Sequence, residues 1–188
     1  MSRPETLRLF VALDLPPAAR TALAAFRAGA ADPAVWRPVA DEALHLTVAF
    51  LGPRPPGDAG AVQAALAASA GSAPWLSLGG GVRLPPRRPR VLCAEVADPD
   101  GTLAALQAEV AERLVRAGVY EPETRPFRAH VTVARLRSGA RAPRSPVRPA
   151  PAPLAFTARH LTLYASQTGP AGARYDPLAR VALGLPVP

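Results

Sequence analysis

Two tetrapeptides in this 188-residue chain share one spelling: His45-Leu46-Thr47-Val48 and His130-Val131-Thr132-Val133. Each reads histidine, apolar, threonine, apolar. On a β-strand successive side chains point to opposite faces. The spelling therefore sets an imidazole and a hydroxyl together on one face and gives two apolar side chains to the other. One such tetrad says little, because any half-buried strand alternates in polarity. Two of them at matching places in a repeated framework say more, since two imidazoles facing one cleft can divide the labour of phosphoryl transfer. With an unperturbed pKa of about 6.5, one imidazole can be neutral and take a proton from water while the other is protonated and gives a proton to the departing oxygen. The threonine hydroxyls can donate hydrogen bonds to the non-bridging phosphate oxygens, where charge accumulates in the transition state. Arg135, five positions after His130, is a candidate cationic clamp. Strict alternation puts it on the wrong face, so its reach requires the strand to end or bulge there.

Two rival readings compete for the same residues. A lone strand histidine is more often structural than functional, and it is the matched pair that favours chemistry. Zinc needs three or four protein ligands, and His45, His130, Cys93 or a carboxylate offer no local ligand spacing. Metal-independent chemistry is therefore the expectation. Neither standard glycine-rich phosphate loop occurs, so nucleoside-triphosphate chemistry has no support.

The elements that must position the tetrads repeat along the chain. Arg8 to Leu13 alternates as a strand, and Pro16-Pro17 suits the opening turn of a helix that runs to about Ala28 with Ala19, Leu23 and Phe26 on its apolar stripe. A loop with Trp36 and Pro38 leads to the strand 43–51, which carries the first tetrad. Simple alternation puts Leu44, Leu46, Val48 and Phe50 on one face and His45, Thr47 and Ala49 on the other. A weak alanine-rich helix follows over 58–70, then a strand over 75–82 loosened by three glycines. From Arg90 the order recurs: a strand over 90–96, a helix capped by Asp98-Pro99-Asp100 with Leu103, Leu106, Val110 and Leu114 at helical spacing before Gly118, a loop, and the strand 127–136 with the second tetrad. Residues 137–153 read as a solvated, mobile Pro/Arg loop, with help in holding a polyanion through Arg137, Arg141, Arg144 and Arg148 as the alternative. Two closing strands over 154–158 and 160–165 follow, with a tail from Gly169 that reads as loop and a short apolar segment.

Composition bounds the partners. The formal net charge is +8 and all 22 basic residues are arginine. Nucleotide composition can account for the absence of lysine, yet the positive field remains and favours an anionic substrate. A single cysteine excludes an intramolecular disulfide and suits a reducing compartment. The short apolar run Leu9 to Leu13, closed by Asp14, does not read as a signal peptide, and the uncharged stretch 59–82 is poor material for a membrane span. The expectation is a soluble, cytoplasmic protein.

The paired tetrads, the opening Arg8-Leu9-Phe10-Val11-Ala12-Leu13, His45 to Gly52, Arg88-Pro89-Arg90-Val91-Leu92, and Phe127 to Arg135 resemble the two-histidine (2H) phosphoesterases. Within them they are most similar to RNA 2′,3′-cyclic phosphodiesterases of the LigT/ThpR type. The resemblance implies an α+β fold, bilobal with a pseudo-twofold repeat, an antiparallel sheet in each lobe, helices outside and the tetrads facing each other across a central groove. Residues 1–188 would then form a single domain of two interleaved lobes. It also implies cofactor-free, metal-free opening of an RNA or oligonucleotide 2′,3′-cyclic phosphate to a 2′-phosphate. A monomer is the separate expectation. His45 would be the proton donor to the leaving O3′ and His130 the proton acceptor from water, with Thr47, Thr132 and Arg135 on the phosphate. The acid and base order comes from the family and not from the spacing. Two alternatives stand beside hydrolysis: RNA 2′-5′ ligation, associated with the same family, and a non-enzymatic RNA-binding module whose affinity would fall steeply with salt. The chain departs from the family pattern at its long Pro/Arg loop and at Cys93, where an aromatic residue is common.

A third tetrad, His160-Leu161-Thr162-Leu163, carries the same spelling. It follows a Pro-rich loop and a short strand instead of a capped helix, and its polar face is expected to meet solvent or the outer rim. Steady-state kinetics on a 2′,3′-cyclic nucleotide should therefore separate the three histidines. His45→Ala and His130→Ala should each lose roughly 10² to 10⁴ in rate, and His160→Ala should stay within a few-fold of the parent. A folded His160→Ala protein as inactive as His130→Ala would mean that the wrong pair has been chosen.

Overall fold

The computed structural model describes residues 6–169 and 172–184. In chain order the elements are β1 (Leu7–Asp14), α1 (Pro17–Ala30), β2 (Trp36–Pro38), a 3₁₀ turn at Asp41–Ala43, β3 (His45–Arg54), α2 (Asp58–Ala68), β4 (Trp75–Leu84), β5 (Val91–Ala97), α3 (Thr102–Arg116), β6 (His130–Leu136), β7 (Ala155–Thr157), β8 (His160–Gly169) and β9 (Gly172–Ala182). The fold is α+β. Its strands pair antiparallel in the order β7-β4-β5-β6-β3-β1-β8-β9, with β2 also paired to β6. Among the described residues no helix is long and apolar enough to cross a membrane.

The two tetrad strands lie side by side at the middle of this order. They are joined through one residue pair, Leu46 with Val131. Both side chains are fully buried in a core that also takes Leu23 and Phe26 of α1 and Leu103, Leu106, Val110 and Leu114 of α3. The helices cross over to reach it: α1, which follows β1, packs on β6, and α3, which follows β5, packs on β3. The apolar half of each tetrad is thus clamped beneath the sheet, and the polar half faces away.

Sequence patterning accounts for α3 in detail. Asp98 accepts hydrogen bonds from the amides of Leu103 (3.1 Å) and Ala104 (2.9 Å), and Asp100 accepts one from Thr102 (3.0 Å). These carboxylates satisfy first-turn donors that the helix itself leaves unpaired. At the other end Gly118 takes φ +70°, and the Val119 amide donates to the Leu114 carbonyl, as a glycine-terminated helix requires.

Three segments differ in kind from the sequence expectation. Trp36 to Pro38 is strand and not loop, because the buried Trp36 anchors it against Leu136. The part of the tail that read as loop is the long strand β9, with Pro170 and Ala171 outside the described residues. It accepts Pro177 because β9 lies at the sheet edge and its register with β8 shifts there, pairing Tyr164 with Pro177 and Leu163 with Ala179. The Pro/Arg loop is tied down: Arg137 donates to the Pro33 carbonyl, Arg83 donates to the Ser145 carbonyl, and Val147 packs on the core. Its Arg141, Arg144 and Arg148 are exposed.

The glycines of β4 do not loosen the strand so much as admit that packing. A Cβ on Gly81 would lie 2.5 Å from Val147 and 2.9 Å from Phe26. Gly81→Ala should therefore cost about 1–3 kcal/mol through overpacking, read as a lowered midpoint in urea unfolding. An unchanged midpoint would show that the loop does not press on β4.

Candidate active site

In β3 the register with β1 pairs Thr47 with Ala12 and Ala49 with Val11, leaving Val48 as an extra residue. In β6 the register with β5 pairs Thr132 with Cys93 and Ala134 with Leu92, leaving Val133 as an extra residue. Each tetrad therefore ends in a β-bulge at its fourth position. A bulge resets the alternation, so that two consecutive residues face the core and the next returns to the polar side. Val48 and Ala49 are both buried, as are Val133 and Ala134. The polar side regains Phe50 in one strand and Arg135 in the other.

This answers the requirement placed on Arg135, which lines the same cavity as His45 and Thr47. It also corrects the expected face of two residues. Phe50 stands 45 % exposed in the groove, and Ala49 has gone to the core.

The histidines are held alike. His45 Nδ1 lies 2.8 Å from the carbonyl of Ala43, and His130 Nδ1 lies 2.7 Å from the carbonyl of Arg128. A carbonyl oxygen can only accept, so in both rings Nδ1 carries the hydrogen and donates. Nε2 is left as the nitrogen available to a ligand. Antiparallel pairing at Leu46 and Val131 directs His45 and Thr132 to one side of that pair and Thr47 and His130 to the other.

Two cavities flank the tetrads. One of about 290 Å³ is lined by His45, Arg8, Arg37, Arg135 and Tyr175; one of about 640 Å³ is lined by His130, Tyr120, Arg125, Phe127 and Arg128. Thr47 and Phe50 border both. Thr132, on the His45 side of the pair Leu46 and Val131, lines neither of these two cavities, and its hydroxyl lies 3.6 Å from Cys93 Sγ. Cys93 is fully buried, and burial pushes its thiol up to about 11, so it remains a neutral partner of the threonine.

Burial changes the chemistry of His45. Burial lowers His45 to about 4, the Ala43 carbonyl opposes that shift, and Arg135 adds to it. The burial comes from a ring of aromatic side chains that sequence patterning did not single out. Phe10 lies 4.8 Å from the imidazole centroid, and Tyr175 lies 5.1 Å away edge-on. Tyr164, at 6.4 Å, stacks on Phe10.

Behind this ring is Asp14, the partner of His45 in the β1–β3 register. Its carboxylate accepts from Tyr164 (2.7 Å) and Thr162 (3.1 Å) and pairs with Arg180 (2.9 Å). Burial and Asp14 push the Tyr164 hydroxyl up to about 12, which keeps it a donor. The third tetrad is thereby explained: Thr162 is buried and bonded to Asp14, so the polar face of β8 supports the site instead of meeting solvent. The signal in the sequence was an acid closing a strand of buried apolar residues, together with a polar face on β8 in register with β1.

No group of three or more His, Cys, Asp or Glu side chains converges among the described residues.

The family model of the 2′-5′ RNA ligase superfamily matches residues 15–170. The chain belongs to this superfamily, the 2H phosphoesterases. One 2H relative, the RNA 2′,3′-cyclic phosphodiesterase of Escherichia coli K12, is 34% identical over 195 residues, covering 97% of this chain and 99% of the relative. The crystal structure of E. coli LigT complexed with 3′-AMP superposes with a TM-score of 0.80 at 32% identity, over 95% of this chain and 99% of that one. TT0787 of Thermus thermophilus superposes at 0.81 and 27% identity, over 94% and 98%.

In this 2H protein, a pH titration of imidazole resonances tests the local electrostatics. His45 should titrate near pH 4, lower still in Asp14→Asn, which removes a negative neighbour, and higher in Arg135→Gln, which removes a positive one. A His45 that titrates at the ordinary value of about 6.5 would show that the aromatic ring does not exclude water.

Proposed function

We propose that this protein hydrolyses RNA 2′,3′-cyclic phosphate ends to 2′-phosphate ends without a metal ion. The observation that carries this reading is the matched pair of Nδ1–carbonyl bonds, which leave Nε2 of each ring to a ligand, with His45 and His130 in two cavities that Thr47 borders. The relative in E. coli named as an RNA 2′,3′-cyclic phosphodiesterase supports it. The cyclic phosphate lies between the tetrads, with the Thr47 and Thr132 hydroxyls and Arg135 on its non-bridging oxygens. His130 Nε2 takes a proton from water as the water oxygen bonds to phosphorus. The P–O3′ bond breaks, and His45 Nε2–H gives its proton to O3′. The products are a 2′-phosphate and a free 3′-hydroxyl, and exchange with solvent resets the two imidazoles. Preformed donors aimed at the phosphate oxygens need no reorganisation at the moment of reaction.

The depressed pKa of His45 gives this assignment a consequence. His45 is neutral in the free protein at pH 7, so as the acid it must gain a proton when the anionic phosphate arrives. The phosphate charge beside Nε2 supplies the stabilisation. Calorimetry of adenosine 2′-monophosphate binding in buffers of different ionisation enthalpy should then show net proton uptake near neutral pH. Uptake that persists unchanged in His45→Gln would remove His45 as the donor.

A second reading is favoured by the larger cavity. The attacking group enters on the His130 side, and about 640 Å³ lined by Phe50, Tyr120 and Phe127 exceeds the needs of one water. A 5′-hydroxyl terminus held there would attack in place of water and give a 2′-5′ linkage.

One experiment decides the main reading: incubation with an oligonucleotide ending in a 2′,3′-cyclic phosphate, with and without chelator, followed by end-group analysis. The expected product is a 2′-phosphate at equal rates in both arms. A 3′-phosphate product, binding without turnover, or loss of activity restored by a divalent ion would each contradict it.

A further inference from the structure

The cavity beside His45 holds more positive charge than the proposed reaction uses. Arg8 of β1, Arg37 of β2 and Arg135 of β6 all line it. None of the three has a carboxylate within ion-pair distance among the described residues. Arg37 and Arg135 stand directly opposite each other in the β2–β6 register, and like charges facing across a ladder destabilise it. Such an arrangement is relieved by an anion.

A 2′,3′-cyclic phosphate is a diester with one negative charge, which Arg135 alone can balance. Arg8 reaches the cavity from β1. It aligns with Pro53 and Ser166, whereas Asp14, six residues further along β1, aligns with His45. The Arg8 guanidinium lies over the Phe50 ring at 5.5 Å, and Tyr175 offers a hydroxyl 3.5 Å from Arg135. Two cations that line the cavity, Arg8 and Arg37, are therefore left beyond the single charge of the cyclic phosphate.

In-line displacement puts the leaving O3′, and the ribose that bears it, opposite the attacking water. On the reading given above, which this inference rests on, His45 protonates O3′, so the ribose and its 5′ carbon lie on the His45 side. We infer that Arg8 and Arg37 form a second phosphate subsite, which holds the phosphodiester on the 5′ side of the reacting nucleotide. Guanidinium forks match phosphate oxygens in geometry as well as charge. The subsite makes the enzyme prefer the end of an RNA chain, or any cyclic nucleotide bearing a 5′-phosphate, over a bare nucleoside 2′,3′-cyclic phosphate.

Calorimetric titration of the full chain with adenosine 2′,5′-bisphosphate and with adenosine 2′-monophosphate reads the subsite without turnover. The bisphosphate should bind at least tenfold more tightly, and Arg8→Gln/Arg37→Gln should bind the two alike. Arg8 is exposed, so Arg8→Gln alone keeps the fold and should cut the advantage at least threefold. Equal affinities in the parent overturn the subsite, as does an advantage that survives in the folded double variant. Turnover is measured in parallel on adenosine 2′,3′-cyclic phosphate and its 5′-phosphorylated form. Equal kcat/KM for the two removes the subsite and leaves hydrolysis standing. No turnover of either, with the bisphosphate still favoured, removes hydrolysis and leaves the anion subsite.

Discussion

The architecture depends on one cross-strand pair, Leu46 against Val131, at the centre of the sheet. It joins the set β7-β4-β5-β6 to the set β3-β1-β8-β9, and it brings two tetrads that are distant in sequence into antiparallel contact. Both side chains are fully buried, so the helices that cover them fix the strands from below. A shift of one residue in either strand would turn a tetrad over and send its imidazole into the core. The hydrophobic side of the tetrads thus sets the position of the chemical side.

Around that pair the two halves share their local geometry and differ in their environment. Each strand has a bulge after the threonine, and each histidine donates Nδ1–H to the carbonyl two residues earlier. The surroundings diverge where the bulges return a side chain to the polar face: Phe50 on one strand, Arg135 on the other. Phe10, Tyr164 and Tyr175 then close around His45, and Asp14 holds Tyr164 from behind. Identical residues at matching positions thus meet different surroundings, and burial within the aromatic ring lowers the proton affinity of His45.

The helices, the two tetrad strands and the caps of α3 were legible because each depends on local periodicity and local capping. The side of the sheet that Phe50 and Arg135 occupy was not, since a bulge is set by the pairing of a strand with its neighbour and leaves no mark in alternation. For Arg135 the position after His130 already demands a bulge; for Phe50 simple alternation predicts the wrong face. Strand β9 was hidden by Pro177 and Gly172, residues that discourage strands in general but are accepted at an edge. Asp14, Tyr164 and Thr162 escaped notice because their contacts join residues about 150 positions apart. The decoy tetrad at His160 shows the same limit: its spelling was visible, and its service as the scaffold for Asp14 was not.

On the proposed reading, two imidazoles present Nε2 to a single phosphate. The most direct measurement is an ¹⁵N-detected histidine spectrum recorded during titration with adenosine 2′-monophosphate. His45 and His130 should both be Nδ1–H in the free protein, both Nε2 resonances should move along one binding curve at one ligand per chain, and His160 should stay still. Movement of one imidazole alone, or of the two along separate curves, would contradict it.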